Sequence, residues 1–444
     1  MHIDSQSTST KGSGNILSGI EKIGNYRWTI CALIFFATTV NYLDRQVIGI
    51  LAPILKSDLG IGESEYGYIV SAFQIAYAIG MILAGRVIDK LGTKIGYALA
   101  FIGWSLAAIA HALAKGPVGF GVARSFLGIT EAGNFPAANK TIAEWFPKKE
   151  RAFAIGIFNS GTNVGAILAP IVVPWLVVHW GWQTAFIATG AIGLIWLIFW
   201  FIFYEVPEKQ KRLKEPELKY IYSDNEDEVK EKISWFKLLN YRQTWAFFVG
   251  KFLTDPIWWF YLFWIPKWLA DVRGLKITQF GLPLVVIYTA TTIGSVFGGW
   301  LSSYLIKSGW KVYRSRAVAM LLFAFLVIPI VFTQSAGIGF WTAIALISLA
   351  AASHQAWSAN IFATVSDMFP KKAVASVTGI GGFAGSVGGI LVAILAGNIL
   401  EFWESKGNIE PGYFILFLIA GSAYLIAWVL FNLIAPKMKK VTLE

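Results

Sequence analysis

The stretch Asn41-Tyr42-Leu43-Asp44-Arg45-Gln46 lies inside an apolar run from about Trp28 to Ile50. A run of that length crosses a bilayer as one helix. Spacing of i, i+3 and i+4 places Asn41, Asp44 and Arg45 on one helix face. A charge at bilayer depth costs about 2.5–3.5 kcal/mol on insertion scales, so such residues face a bundle interior or a water-filled path. An acid beside a base there predicts that the other helices enclose this patch and open it to alternate sides.

Composition agrees. The chain has 444 residues, 56% hydrophobic and 14% charged, with 20 Trp and 33 Phe. That profile is a polytopic membrane protein's rather than a soluble domain's. One cysteine, Cys31, excludes an intramolecular disulfide and a cysteine-ligated metal cluster, and neither a metal nor a cofactor is expected. The net charge of +11 would suit nucleic acid, yet basic loops on one membrane face account for it. No cleavable signal peptide is evident, because residues 1–27 are polar and the next apolar run is too long for one. The Ser/Thr/Gly-rich residues 5–19 read as a disordered tail.

Twelve apolar segments follow, roughly 28–50, 66–85, 95–114, 117–138, 153–178, 182–203, 245–270, 279–306, 317–334, 337–365, 374–400 and 412–433. The predicted fold is all-α and polytopic, with twelve transmembrane helices in two pseudo-symmetric six-helix bundles. Its parts are a tail (1–27), a first bundle (28–204), a linker (205–242), a second bundle (243–434) and a C-terminal tail (435–444). The linker's charge run, Asp224 to Glu228, reads as solvated. With both termini on one side, that side carries 28 of the 37 Lys and Arg and the opposite loops carry six, so both termini are expected in the cytoplasm. The expected location is the plasma membrane, or the inner membrane of a Gram-negative bacterium.

The halves repeat. Phe146-Pro147-Lys148-Lys149 opens segment 5 and Phe369-Pro370-Lys371-Lys372 opens segment 11, an offset of 223. From 146 to 168, 11 of 23 positions are identical at that offset, Gly165 with Gly388 among them. This is a parallel duplication.

Gly85-Arg86-Val87-Ile88-Asp89-Lys90-Leu91-Gly92-Thr93-Lys94 joins segments 2 and 3. Gly85 and Gly92 permit a tight turn, Asp89 can pair with a neighbouring helix end, and Lys94 suits an anionic leaflet. A worn copy runs from Gly299 to Lys311, with Tyr304 in place of the acid. The loop resembles the signature of the major facilitator superfamily, and the resemblance spans the chain. It implies two six-helix bundles rocking about a midplane site, with this loop and the bend expected at Pro256 in segment 7 as gating elements.

Segment 4 adds Arg124, Gly128 and Glu131 on one face. Structural ion pairs Asp44–Arg45 and Arg124–Glu131 are the plain reading, but buried pairs are weak stabilisers. Guanidinium groups at Arg45 and Arg124 suit a carboxylate substrate. Desolvation raises a carboxyl's pKa and a nearby guanidinium lowers it, so Asp44 and Glu131, with Asp255 of segment 7, are the expected proton carriers. Gln74 and Tyr77 of segment 2 and Asn159, Thr162 and Asn163 of segment 5 either bind hydroxyls or bridge helices. Segment 7 also holds Lys251, spaced to pair with Asp255, and a Trp258-Trp259 cluster for a sugar ring or for lipid. In segment 10, His354, Gln355, Trp357 and Asn360 are candidate ligands, or core residues.

Asn-Tyr-x-Asp-Arg in segment 1 and Arg-x-x-x-Gly-x-x-Glu-Ala in segment 4 resemble the anion:cation symporters. Lys251-Phe-Leu-Thr-Asp-Pro256 and His354-Gln-Ala-Trp-Ser-Ala-Asn360 resemble their hexuronate branch. The resemblance implies proton symport of glucuronate or galacturonate, with Tyr42 and Tyr77 lining the site. Phe362 and Gly382 depart from the galactonate branch, which has Trp and Asn there.

The expected partners are a small organic anion, protons and lipid, with no nucleic acid and no obligate protein partner. Rival readings are a symporter of another organic anion (an aldonate, glucarate or an aromatic acid), a drug:proton antiporter, and a transporter-like sensor. The antiporter's helix 5 ends in Gly-Pro, unlike Gly161 to Pro170 here. A sensor needs a signalling domain, for which the linker has no room. An enzyme needs a metal or nucleophile cluster, which four His and one Cys do not supply.

Overall fold

The computed structural model describes residues 24–223, 235–335 and 337–442, so the tail at 5–19 and the charge run at 224–228 lie outside the described residues. Long apolar runs in lipid leave the backbone only itself as partner, which enforces helices. In order they are α1 (Tyr26–Leu59), α2 (Glu63–Leu91), α3 (Thr93–Ala110), α4 (Pro117–Glu131), α5 (Asn134–Trp145), α6 (Lys148–Trp180), α7 (Trp182–Phe203) and the short α8 (Glu215–Ile221) and α9 (Trp235–Leu238). Then come α10 (Arg242–Phe263), α11 (Ile265–Asp271), α12 (Gly281–Lys307), α13 (Val312–Val327), α14 (Phe340–Met368), α15 (Lys371–Ser405) and α16 (Glu410–Ile434).

Among the described residues, eight helices are long and apolar enough to cross a membrane: α2, α3, α6, α7, α12, α13, α15 and α16. The other four of the twelve spans are α1, α4–α5, α10–α11 and α14. These four carry Asp44 and Arg45, Arg124 and Glu131, Lys251 and Asp255, and His354 and Asn360. Every third span has thus given up apolar character or helical continuity, the pattern of helices lining a common path rather than lipid.

The duplication is visible in the packing. In the first half α1 lies on α6, α2 on α4 and α3 on α7; in the second, α10 lies on α15, α12 on α14 and α13 on α16. A Cβ added at Gly165 would strike the Thr39 carbonyl oxygen, and one at Gly388 the Phe252 carbonyl oxygen. These are close approaches of α6 to α1 and of α15 to α10, which only glycine allows. Thr93 donates to Glu144 at 2.6 Å, and Arg316 to Asp367 at 3.0 Å, both partners displaced by the same 223 residues.

Two breaks differ from the sequence expectation. The segment placed at 117–138 is two helices reaching Trp145, parted at Ala132-Gly133. Pro136 has no N–H for the Ala132 carbonyl and its ring crowds that oxygen, so the helix lets go just after Glu131. Segment 7 does not break at Pro256, since α10 runs unbroken to Phe263. The carbonyl that Pro256 frees, Phe252 O, faces Gly388 of the neighbouring helix. The chain parts at Trp264 instead, where Pro266 enforces the break.

Part of the linker docks. Glu217 of α8 accepts from the backbone N–H groups of Tyr26 and Arg27 at 3.1 Å each, and Arg27 pairs with both Glu150 (2.8 Å) and Glu217 (3.1 Å). At this linker end the signature loop turns at Gly92 (φ +78°). Asp89 pairs with Lys140 at 2.9 Å and Lys94 with Glu205 at 2.8 Å. The Lys94 hydrogen bond holds the Glu205 carboxyl below the usual carboxylate range. All these pairs lie within residues 24–217 and so tie the first bundle to its own tail and linker.

At the opposite end the halves meet. Gly67 of α2 packs on Gly397 of α15, and Ser64 donates to Asn398 (2.8 Å) and Glu401 (3.0 Å). Buried Glu63 takes Lys56 of α1 (2.9 Å) and Lys267 of α11 (2.5 Å) on one oxygen. Lys56 also reaches Glu404, Lys267 reaches Asp271 (3.1 Å), and the Tyr413 hydroxyl donates to Asp271 (2.9 Å). The molecule is therefore latched at this end, and none of the linker-end pairs named above crosses between the halves. Lys267→Ala is expected to loosen the latch, since removing one partner of a buried pair costs about 3–5 kcal/mol. Cysteines at Ser64 and Asn398, in a Cys31→Ala background, report it: oxidative cross-linking should fall several-fold, and an unchanged yield would show that the cluster does not hold the face closed.

Candidate functional site

The site grows from α1. Gly128 of α4 sits so close to Phe73 O of α2 (2.5 Å from an added Cβ) that the two helices touch along their backbones, and Gly161 and Gly165 draw α6 onto α1. This sets Arg45, Phe73, Arg124 and Glu131 in one buried knot, with the half-buried Tyr77 at its edge.

Arg45 is fully buried and donates from Nε (3.0 Å) and Nη2 (2.8 Å) to Glu131 Oε2. Its guanidinium carbon lies 4.8 Å from the ring centroid of Tyr42, 4.8 Å from Tyr77, 5.1 Å from Phe73 and 5.5 Å from Trp259. Cation–π contacts of this kind are worth about 2 kcal/mol or more each when desolvated. Arg124 donates from Nη2 to the Arg45 carbonyl at 3.0 Å and packs on Phe73 (4.9 Å) and Phe263 (5.7 Å). Its Nε and Nη1 have no hydrogen-bond partner among the described residues, nor have the Asp44 carboxylate, the Gln74 amide or Glu131 Oε1.

This corrects the expected ion pairs. Neither Asp44–Arg45 nor Arg124–Glu131 forms; Arg45 pairs with Glu131 across helices. Adjacent residues on a helix point about 100° apart, so Asp44 turns toward Thr189 of α7 and Arg124, while Arg45 turns to the ring cage. Glu131 can reach Arg45 because it ends α4 at the Pro136 break.

The second half contributes less than the sequence implied. His354 meets the Tyr424 hydroxyl at 2.5 Å and stacks on Trp258 (5.4 Å). Trp357 is buried edge-on against Tyr424, and Asn360 donates to the carbonyls of Gly298 and Ala356 at 2.9 Å each, tying α14 to α12. These three are packing residues of their own half, and Gln355 is half-buried beside them. Asn159 is exposed and the Thr162 hydroxyl donates locally to its carbonyl at 2.8 Å. Asp255 pairs with Lys251 at 2.7 Å, above a space left by Gly385. Phe73, Phe263 and the cross-bundle latch were not singled out from sequence. Phe73, four residues before Tyr77, carried a helical-face signal.

Twelve membrane-crossing helices in two matching sets, latched at one end by the Glu63 cluster and holding a buried arginine–glutamate pair, define a multi-pass membrane transporter. The family model described as "Major Facilitator Superfamily" matches residues 34–393, and the chain belongs to that superfamily. It is 34% identical over 391 residues to a protein named hexuronate transporter from Escherichia coli K12, covering 86% of this chain and 89% of that one. It is 36% identical over 313 residues to a galacturonate transporter of Dickeya chrysanthemi, covering 69% and 90%. A crystal structure of a bacterial homologue of the human lysosomal transporter Spinster, inward-facing and unoccupied, superposes with a TM-score of 0.77 at 18% identity, over 94% of this chain and 98% of that one. At that identity the likeness bears on the fold alone.

Proposed function

We propose that the chain carries hexuronates such as glucuronate and galacturonate into the cell by proton symport. The observation that carries the reading is Arg45, a guanidinium boxed by four rings and held by an acid that a substrate carboxylate can replace. The relatives named for hexuronate and galacturonate supply the substrate class. A carboxylate entering from the linker end competes with Glu131 for Arg45, while Arg124 offers two nitrogens, Nε and Nη1, unpartnered among the described residues. Once displaced, Glu131 is a desolvated carboxylate with no counter-ion, which favours taking up a proton. Sugar acid and proton thereby travel together. Asp44, unpaired one residue away, and Asp255, paired to Lys251, are the further proton carriers of this scheme.

The bundles 28–204 and 243–434 rock as units on the 205–242 linker, with the Gly85–Lys94 loop at the gate of the linker end. The basic bias supports a cytoplasmic position for that end and for both termini in a plasma or inner membrane, so that the Glu63 latch closes the outer face.

Counterflow in proteoliposomes tests the reading without assuming proton coupling. Glucuronate and galacturonate are expected to exchange and to compete with each other. Neutral glucose is expected to do neither, because two buried arginines demand an anion. Exchange of glucose as fast as glucuronate would make the arginines structural.

A further inference from the structure

We infer that Trp259, with the glycine stripe behind it, is the sugar-ring subsite: the surface that distinguishes a cyclic sugar acid from an open-chain one. The inference rests on the hexuronate reading and goes past it, to how the ring is recognised.

Lys251, Asp255, Trp259 and Phe263 recur at every fourth position of α10 and form one face. Opposite runs Gly381, Gly385 and Gly389 of α15, also every fourth position. Cβ atoms there would strike Phe247 at Gly381, the Asp255 carboxylate at Gly385, and Trp259 Cδ1 (3.0 Å) at Gly389. The glycines are therefore the floor on which these side chains lie. Trp259 is stacked on Phe263 (centroids 6.0 Å, planes 7° apart) and remains half-buried.

Of the four rings around Arg45, Trp259 is the one from the second half. A substrate whose carboxylate is held by Arg45 must lay its next carbons against the half of the site that Trp259 forms. In a pyranose those carbons carry a row of axial C–H bonds, a small apolar face that matches an indole. An open-chain polyhydroxy acid has no such fixed face and gains little from a flat ring. Asp255 lies one turn away, about 6 Å along the helix, where it meets the hydroxyls on the far side of the ring.

Equilibrium binding to the purified full-length transporter, for glucuronate and for the open-chain diacid galactarate, tests this. Trp259→Leu is expected to weaken glucuronate about tenfold, as losing one favourable aromatic contact does, and galactarate less than about twofold. Trp259→Phe should restore most of the loss. Gly389→Ala, which pushes the indole off its floor, should reproduce it. Equal loss for both ligands would overturn the inference, because Trp259 would then act only by holding Arg45; no loss for either would overturn it as well. Should Trp259→Leu fail to fold, Trp259→Phe and Gly389→Ala still decide the ratio of the two affinities. A wild-type protein that binds neither acid would instead sink the hexuronate reading, so the two failures are distinct.

Discussion

Arg45→Lys is expected to weaken glucuronate binding by about a hundredfold, the equivalent of one or two charge-assisted hydrogen bonds. Lysine keeps the charge but loses the planar fork, and it has no flat face to set against Tyr42, Phe73, Tyr77 and Trp259. Nε and Nη2 of Arg45 both serve Glu131 Oε2, and a single ammonium cannot hold one acid while it trades for another in the same geometry. Arg124→Lys should cost less, about tenfold, because one of its three nitrogens is spent on the Arg45 carbonyl and the others have no bonds to lose before substrate arrives. Calorimetry on the purified variants separates the cases. Wild-type affinity in both would mean that the two arginines only brace the helices.

The sequence located the charged helices but not their pairings, for a physical reason. Helical periodicity fixes which residues share a face of one helix, so Arg45, Arg124, Gly128 and Glu131 were all legible. Which residue touches which across two helices depends on the crossing, and here that was set by Gly128, Gly161 and Gly165 and by the break that Pro136 makes. The same limit explains segment 10. His354, Trp357 and Asn360 are polar or amphipathic residues in a run of small apolar ones, which reads as a ligand set. Yet each meets a partner within its own half: Tyr424 for His354 and Trp357, the Gly298 carbonyl for Asn360. The internal repeat was legible because it depends on identity at a fixed offset, and its glycine contacts recur in both halves.

Glu131→Gln is expected to keep exchange of external for internal glucuronate and to lose accumulation driven by a pH gradient. One pH unit supports up to about tenfold accumulation per proton, and the variant should fall to none. The amide copies the protonated acid: it can still accept a hydrogen bond from Arg45, but it neither competes as an anion for the guanidinium nor takes up a proton. Asp44→Asn is the informative partner. An Asp44 that held Arg45 in place would make its loss harm exchange and accumulation together. Asp44 makes no ion pair and no hydrogen bond among the described residues, whereas Arg45 is held by Glu131. Exchange by Asp44→Asn is therefore expected to survive, and any loss of accumulation belongs to its own proton. Counterflow and pH-driven uptake, measured on each variant in proteoliposomes, give four readings that assign the two carboxyls separately. Full gradient-driven accumulation by Glu131→Gln would break the proposed exchange of Glu131 for substrate on Arg45. The coupling proton would then have to ride on Asp44 or on Asp255, neither of which contacts the guanidinium.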